Sequence, residues 1–403
     1  SVNRRYCQMN DTAVTGGTEE DRMDELIDLG RQLWNHPEPG FFEERTHSIL
    51  KTAFENEGFQ VSNFSGMPGF SAVYGGGDLK GRYAVIADMD ALPNPGTGGY
   101  IHSCGHHMQG TALFGAARIL AERHPEVLQH LVFVAVPAEE YIDLDRRKTY
   151  ADKNGLSALS GKQELLARGF FQPLEGVIAT HAAGGKGRFI NSVRFMNGFV
   201  VRRFVFHGLS AHAGAQPHRG KNAQNAAVLF LQACAFLRES FYEEDHVRIH
   251  PVLFPAEGQS VNLIPDYARV ETYVRAVTPQ AVRQTALKLE DAAQGCASAL
   301  GIQCSCDRIE GYQPFVVDQD LHDLASLQAE DLGVPFVDEA FSAASSDMGD
   351  LSQVKPAIIL GLPGSNGLFH NPDFSVTDEE TAYVFSSEVL AEYLAALVRK
   401  NVT

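Results

Sequence analysis

A chain of 403 residues exceeds what one hydrophobic core usually organises, so two domains are expected. The apolar share of 44% is ordinary for a globular enzyme, and 33 Lys plus Arg against 50 Asp plus Glu leave a net charge of −17. That balance argues against nucleic acid or an anionic membrane as partner and leaves small molecules, with local positive groups needed for any carboxylate-bearing substrate. Cys7, Cys104, Cys234, Cys296, Cys304 and Cys306 are scattered, unlike a disulfide scaffold, and fit a reducing compartment. Residues 1–18 are polar without an apolar h-region, and no later stretch reads as a membrane span, so a cytoplasmic protein is expected.

In chain order, the run Tyr83 to Ala87 reads as a buried strand and is followed by Asp88-Met89-Asp90. Cys104-Gly105-His106 then opens a helix marked by Met108, Ala112, Ala116, Ile119 and Leu120, which ends before Pro125. A second strand, Leu131 to Val136, precedes Glu139-Glu140, and a third, Gly176 to Ala179, precedes His181. From Phe199 the pattern changes to alternation, with Phe199, Val201, Arg203 and Val205 on one half-exposed strand. Helices over Asn222 to Leu237 and Pro279 to Leu300 lie among strands near Val247 to Phe254, Val270 to Val274 and Ile302 to Cys306. The order βαββαβ predicts an inserted α+β ferredoxin-like unit. The first pattern then resumes, and a fourth buried strand, Ala357 to Leu360, leads to His370. The predicted fold is α/β: a mixed-sheet domain of residues 1–195 and 311–403, with a second, α+β domain of residues 196–310 inserted.

Ligands in open α/β sheets bind beyond the carboxyl ends of strands, so the groups that follow these four runs are expected to converge. Two divalent ions of the zinc type need about five to seven ligands drawn from imidazole, thiolate and carboxylate. Cys104 and His106 can face one centre because Gly105 relieves crowding, and a helix N-terminus there should lower the thiol pKa. A lone Cys or His is more often structural, but His102, Cys104, His106 and His107 fall within six residues. Adjacent Glu139 and Glu140 are unfavourable after an apolar strand unless a cation neutralises them. One can bind metal while the other handles a proton; the residues alone do not say which.

These pieces resemble the M20 family of metallopeptidases and amidohydrolases, in the branch of indole-acetyl-amino-acid, hippurate and other N-acyl-amino-acid hydrolases. The matching segments are Ala87-Asp88-Met89-Asp90-Ala91-Leu92-Pro93, His102-Ser103-Cys104-Gly105-His106, Pro137-Ala138-Glu139-Glu140, His207-Gly208-Leu209-Ser210-Ala211-His212-Ala213-Gly214, Asn262-Leu263-Ile264-Pro265-Asp266 and Phe369-His370-Asn371-Pro372. The resemblance implies that residues 1–195 and 311–403 form a metal-binding catalytic domain and residues 196–310 a lid or dimerisation domain, and that Cys104, His106, Glu140, His181 and His370 hold two divalent ions, zinc or manganese foremost and cobalt or nickel as alternatives. It makes Glu139 the general base, Asp88 and Asp90 supporting groups, with Asp90 orienting a liganding histidine, and His212 an oxyanion donor acting across a homodimer or higher homo-oligomer. Asn262 and Arg275 match positions that hold the substrate carboxylate. The expected activity is hydrolysis of an N-acyl amino acid or related small amide; a dipeptidase or aminopeptidase is the runner-up, and a silent binding homologue is disfavoured by the presence of Glu139. The chain departs from the branch at His107 and Gln109, at Ser345-Ser346-Asp347, and in the longer charged segment Tyr141 to Phe171, which reads as a lid, a substrate wall or a surface excursion.

Overall fold

The computed structural model describes residues 18–402; Cys7 and the polar start up to Gly17 lie outside the described residues. A mixed sheet runs in spatial order Phe59–Asn63, Phe70–Tyr74, Leu131–Val136, Tyr83–Asp88, Gly176–Gly184, Ala357–Asn366, Ile190–Val193 and Phe336–Glu339. Its four central strands, Leu131–Val136, Tyr83–Asp88, Gly176–Gly184 and Ala357–Asn366, are neighbours and mutually parallel. Both faces are covered, which explains why these strands read as unbroken apolar runs. Val85, Ala87, Phe133, Ala135, Ile178, Ile358 and Leu360 face one core, shared with the helices Glu19–Trp34, Glu44–Asn56, His106–Arg123 and Ser386–Val402. Ala84, Ile86, Val132, Val134, Val177, Ala179 and Ile359 face a second core on the other side.

That second core is closed by the charged segment. Helices Leu144–Asn154 and Gly161–Ala167 bring Ala151, Leu156, Leu165 and Phe171 onto the sheet. Tyr141 to Phe171 is therefore a packed layer of the fold and not a surface excursion, since Leu165 and Phe171 are each 1% exposed.

The inserted unit has its own antiparallel sheet and core. Arg248–Ile249 and Val252–Pro255 flank Tyr267–Ala276, which pairs with Gly198–His207, which pairs with Gln303–Glu310. Helices Ala223–Leu237 and Pro279–Ala299 cover one face. Asn222 and Thr278 start them by accepting hydrogen bonds from the amides of Asn225 and Ala281. Strand Gly198–His207 corrects the alternation pattern in one respect. The face packed on the helices is Val200, Phe204 and Phe206, while Phe199 and Val201 are buried on the opposite face against Tyr141 and Tyr312. Alternation identified the strand but not its core face, because contact with the first domain buries the other side too.

A second correction concerns membrane spans. Glu380–Asn401 is long and apolar enough to cross a membrane by length and composition, although 83% of its most apolar window is buried inside the fold. Such burial is what an internal helix shows.

Candidate active site

Parallel strands deliver the site. Asp88 ends one, Glu139 and Glu140 follow the turn after the second, His181 lies near the end of the third, and His370 follows the fourth. Cys104 and His106 arrive from the start of the helix His106–Arg123. Gly105 between them adopts φ 78°, and a Cβ there would come 2.4 Å from the Cβ of Ala182 on the His181 strand. The glycine thus permits both the left-handed bend and the close approach of the helix start to that strand.

The donor atoms form overlapping groups. Cys104, His106 and His181 make one, Cys104, Glu140 and His370 a second, and His106, Glu139 and Glu140 a third, with the atoms of each group within 4.8 Å of one another. Cys104 Sγ lies 3.4 Å from His181 Nε2 and 3.5 Å from His370 Nε2, and His370 Nε2 lies 3.3 Å from Glu140 Oε1. His106 Nε2 is 3.9 Å from both Glu139 Oε2 and Glu140 Oε1 and has no hydrogen-bond partner although it is buried. Its other nitrogen, Nδ1, is engaged 3.0 Å from Asp90 Oδ1. His181 Nδ1 is likewise engaged, 2.9 Å from the carbonyl oxygen of Ala182. Both rings therefore turn Nε2 into the cluster, the orientation a metal-binding histidine requires.

Electrostatics make the same point. Burial pushes the Cys104 thiol well above its usual range, and Glu140 and Glu139 push it further. Burial first, and these carboxylates after it, thus act against the lowering expected from the helix N-terminus. Burial, then Glu140, Asp347 and Asp88, also raise Glu139 well above the ordinary carboxylate range. Burial opposes charge on His106, yet its bond to Asp90 raises it to about 10. A pocket holding several groups that cannot all ionise alone, together with an orphaned imidazole nitrogen, fits a bound cation.

Two non-glycine residues take left-handed backbone here, His370 at φ 62° and Ala138 at φ 64°. Each such residue costs roughly 1–2 kcal/mol. His370 is fixed through its amide, which donates to Ser103 O at 3.0 Å, one residue before Cys104. Ala138 donates its N–H to Glu43 Oε1 at 2.8 Å and accepts from Arg147 Nη1 at 2.6 Å.

Sequence reasoning missed the cations that surround the cluster. Lys162, fully buried, pairs with Asp88 and lies 2.7 Å from Asp347 Oδ1, while Ser160 donates to Asp347 Oδ2 at 2.8 Å. Arg147 Nη2 donates to Asp90 Oδ2 at 3.2 Å. The available signals were the charged segment and the altered Ser345-Ser346-Asp347, and nothing in the sequence pairs one with the other. His107 is 1% exposed and packs edge-on to Trp34 with ring centroids 4.9 Å apart, and burial lowers its pKa well below the usual value. Gln109 accepts the Asp88 amide at 2.9 Å.

His212 and Asn262 are not brought to this cluster. They are exposed neighbours on the inserted unit, where Ala213 N donates to Asn262 O at 2.8 Å and His212 Nδ1 accepts from the Gly214 and Ala215 amides, each at 3.1 Å. Among the described residues, no hydrogen bond or ion pair joins either to the donor cluster. Arg275 lies closer. Its charge is felt at His370, its Nη1 donates to Ser345 Oγ at 3.3 Å, and it has no ion-pair partner among the described residues.

Residues 84–396 match the model of Peptidase family M20/M25/M40. The chain is 28% identical over 313 residues to a p-aminobenzoyl-glutamate hydrolase polypeptide of Escherichia coli, a match that covers 73% of this chain but 60% of that one. It is 28% identical over 359 residues to the Xaa-Arg dipeptidase of Mus musculus, covering 84% and 77%, and 27% identical over 403 residues to an N-acetylcysteine deacetylase of Bacillus subtilis, covering 94% and 97%. In fold it resembles a dinuclear metal binding M20 peptidase of Bacillus subtilis with a TM-score of 0.74 at 22% identity, over 94% of this chain and 99% of that one. The α/β fold, the match across residues 84–396 and the clustered thiol, imidazole and carboxylate donors identify the chain as a member of peptidase family M20/M25/M40.

Proposed function

We propose that the chain hydrolyses the amide bond of an N-acyl amino acid or related small amide, with Glu139 as general base. The observation that carries this reading is the shared position of Cys104 in two donor groups, Cys104-His106-His181 and Cys104-Glu140-His370, with Glu139 beside them. Those five residues would hold two divalent ions, zinc or manganese first, which when bound supply the Lewis acidity that activates water and polarises an amide carbonyl. Glu139 takes the proton from the attacking water and returns it to the leaving amine nitrogen. Arg275, whose guanidinium has no ion-pair partner among the described residues, binds the substrate carboxylate, which the net charge of −17 would otherwise repel, and Asn262, which lies away from its own chain's cluster, would join it from a second copy. Relatives named as an N-acetylcysteine deacetylase, a hippurate hydrolase and an Xaa-Arg dipeptidase support small amides with a free carboxylate as the substrate class.

The inserted unit serves as lid and dimerisation surface in this reading. Its edge strand Val252–Pro255 leaves Val252 and Phe254 exposed, and the helix Ala223–Leu237 exposes Val228, Leu229 and Phe236. A free sheet edge with apolar neighbours suits pairing with a second copy. A cytoplasmic setting remains part of the same proposal.

The test is a panel of N-acyl amino acids and dipeptides, each with free or amidated carboxylate, assayed after chelation and after return of zinc, manganese, cobalt or nickel. Activity should vanish on chelation, return with metal and fall sharply when the carboxylate is blocked. Full turnover by metal-free protein would sink the mechanism, and equal rates on blocked and free substrates would remove the roles of Asn262 and Arg275.

A further inference from the structure

We infer that Arg147, carried by the Tyr141 to Phe171 segment, is a positioning residue for the active site: its guanidinium ties the turn that aims Glu139 and Glu140 to the aspartate that orients His106. The inference rests on the proposed roles of those three residues and extends them to a part of the chain that lies outside the family-like motifs.

Three contacts carry it. Arg147 Nη1 donates to Ala138 O at 2.6 Å and to Leu159 O at 3.0 Å, and Nη2 donates to Asp90 Oδ2 at 3.2 Å. Asp90 Oδ2 also accepts the Glu140 amide at 2.9 Å, and Oδ1 faces His106 Nδ1. One side chain therefore spans the left-handed Ala138 peptide, the Glu140 backbone through Asp90, and the tautomer of His106. Glu43 Oε1 accepts the Ala138 amide, so both polar groups of the strained residue are gripped. A residue in left-handed backbone without glycine's freedom persists only where its surroundings over-determine it.

Arginine suits this place and lysine does not, because two nitrogens at a fixed separation must reach a carbonyl and a carboxylate together. The fold keeps room for that fork. Arg147 is 3% exposed, and a Cβ on Gly40 would come 2.4 Å from its Nη2 and 2.9 Å from Ala138 Cα. Lys162, from the same segment, pairs with Asp88 and Asp347. The segment thus places one buried cation against each aspartate of Asp88-Met89-Asp90, and its helices are anchored by Leu165 and Phe171 on the sheet. It is a brace behind the site.

Full-length Arg147→Met and Arg147→Lys, loaded with metal, test the inference. Support groups behind metal ligands typically matter on the order of 10–100-fold, so Arg147→Met should lose that much in kcat and in Co2+ affinity, with KM little changed. Arg147→Lys should recover part of the loss, and millimolar guanidinium, but not methylammonium, should restore kcat to Arg147→Met. Unchanged kcat and Co2+ affinity, or a loss that tracks the folded fraction by circular dichroism without guanidinium rescue, would overturn it. Should Arg147→Met fail to fold, Gly40→Ala crowds the guanidinium without removing it: a matching loss of kcat and Co2+ affinity supports the inference, and unchanged values overturn it. An inactive Glu139→Ala beside a normal Arg147→Met would defeat this inference alone, whereas an active Glu139→Ala would defeat the reading beneath it.

Discussion

Glu139 and Glu140 are adjacent in sequence yet differ in surroundings, and that difference separates their proposed tasks. Glu140 lies 3.3 Å from His370 Nε2 and 3.9 Å from His106 Nε2, and these imidazoles hold its carboxyl below the usual range despite burial. Glu139 shares the approach to His106 but is raised by burial and by Glu140, Asp347 and Asp88, as befits a group that must accept a proton. Glu139→Gln should therefore keep its metal and lose on the order of a hundredfold or more in turnover, the scale for a general base. Cys104→Ala should instead lose metal, because the thiol belongs to both donor groups. Elemental analysis beside kcat separates the cases: a metal-free Glu139→Gln with a metal-replete Cys104→Ala would mean that the roles are wrongly assigned.

At the scale of elements, the strands that carry the site were legible because both their faces are buried, which writes an apolar run directly into the sequence. The brace was not legible. Arg147 and Lys162 are charged residues in a charged stretch, and the rule that such residues are solvated fails where buried aspartates far along the chain receive them. In the inserted unit the same blindness hid Glu290, which joins the helix Pro279–Ala299 to two strands by accepting from Arg202 Nε at 2.8 Å and from Arg308 Nε at 3.1 Å. Burial alone would raise its pKa, but the bonds from Arg308 and Arg202 outweigh this and hold it below the ordinary value. A carboxyl depressed in the folded state adds stability above the unfolded value, about 4.3, and loses it as pH falls through the folded one. Glu290→Ala should cost roughly 3 kcal/mol at pH 7 by stranding the buried Arg202 charge. In urea unfolding at stepped pH, the gap between wild type and variant should narrow below about pH 4.3. A gap that is constant down to about pH 3 would show that packing, not charge, links helix and sheet.

Across the whole molecule the donor cluster and His212 belong to different units, and their separation has a functional consequence. His212 lies on the inserted unit beyond the strand Gly198–His207, bridged to Leu263 beside Asn262, while the metal-type donors sit at the carboxyl ends of the other sheet. The family-like motif implies a role for His212 in the reaction; because the fold leaves it without a contact to its own chain's cluster, we propose that a second copy supplies it. Its two accepted amides occupy Nδ1, which leaves Nε2 to donate to a developing oxyanion. Removing one such donor costs about 10² to 10³ in rate, so His212→Ala should bind metal normally and turn over that much more slowly. Glu139→Ala should be inactive for a different reason and in the other unit. Mixed under conditions that allow subunit exchange, the two inactive proteins would form heterodimers with one site that draws Glu139 from one copy and His212 from the other. Activity should then return toward about a quarter of wild type at equal mixing, since random exchange makes about half the dimers mixed and each has one intact site of two. Exchange demonstrated by mass spectrometry with no recovered turnover would confine His212 to its own chain, and the lid would then have to close by a hinge within one copy.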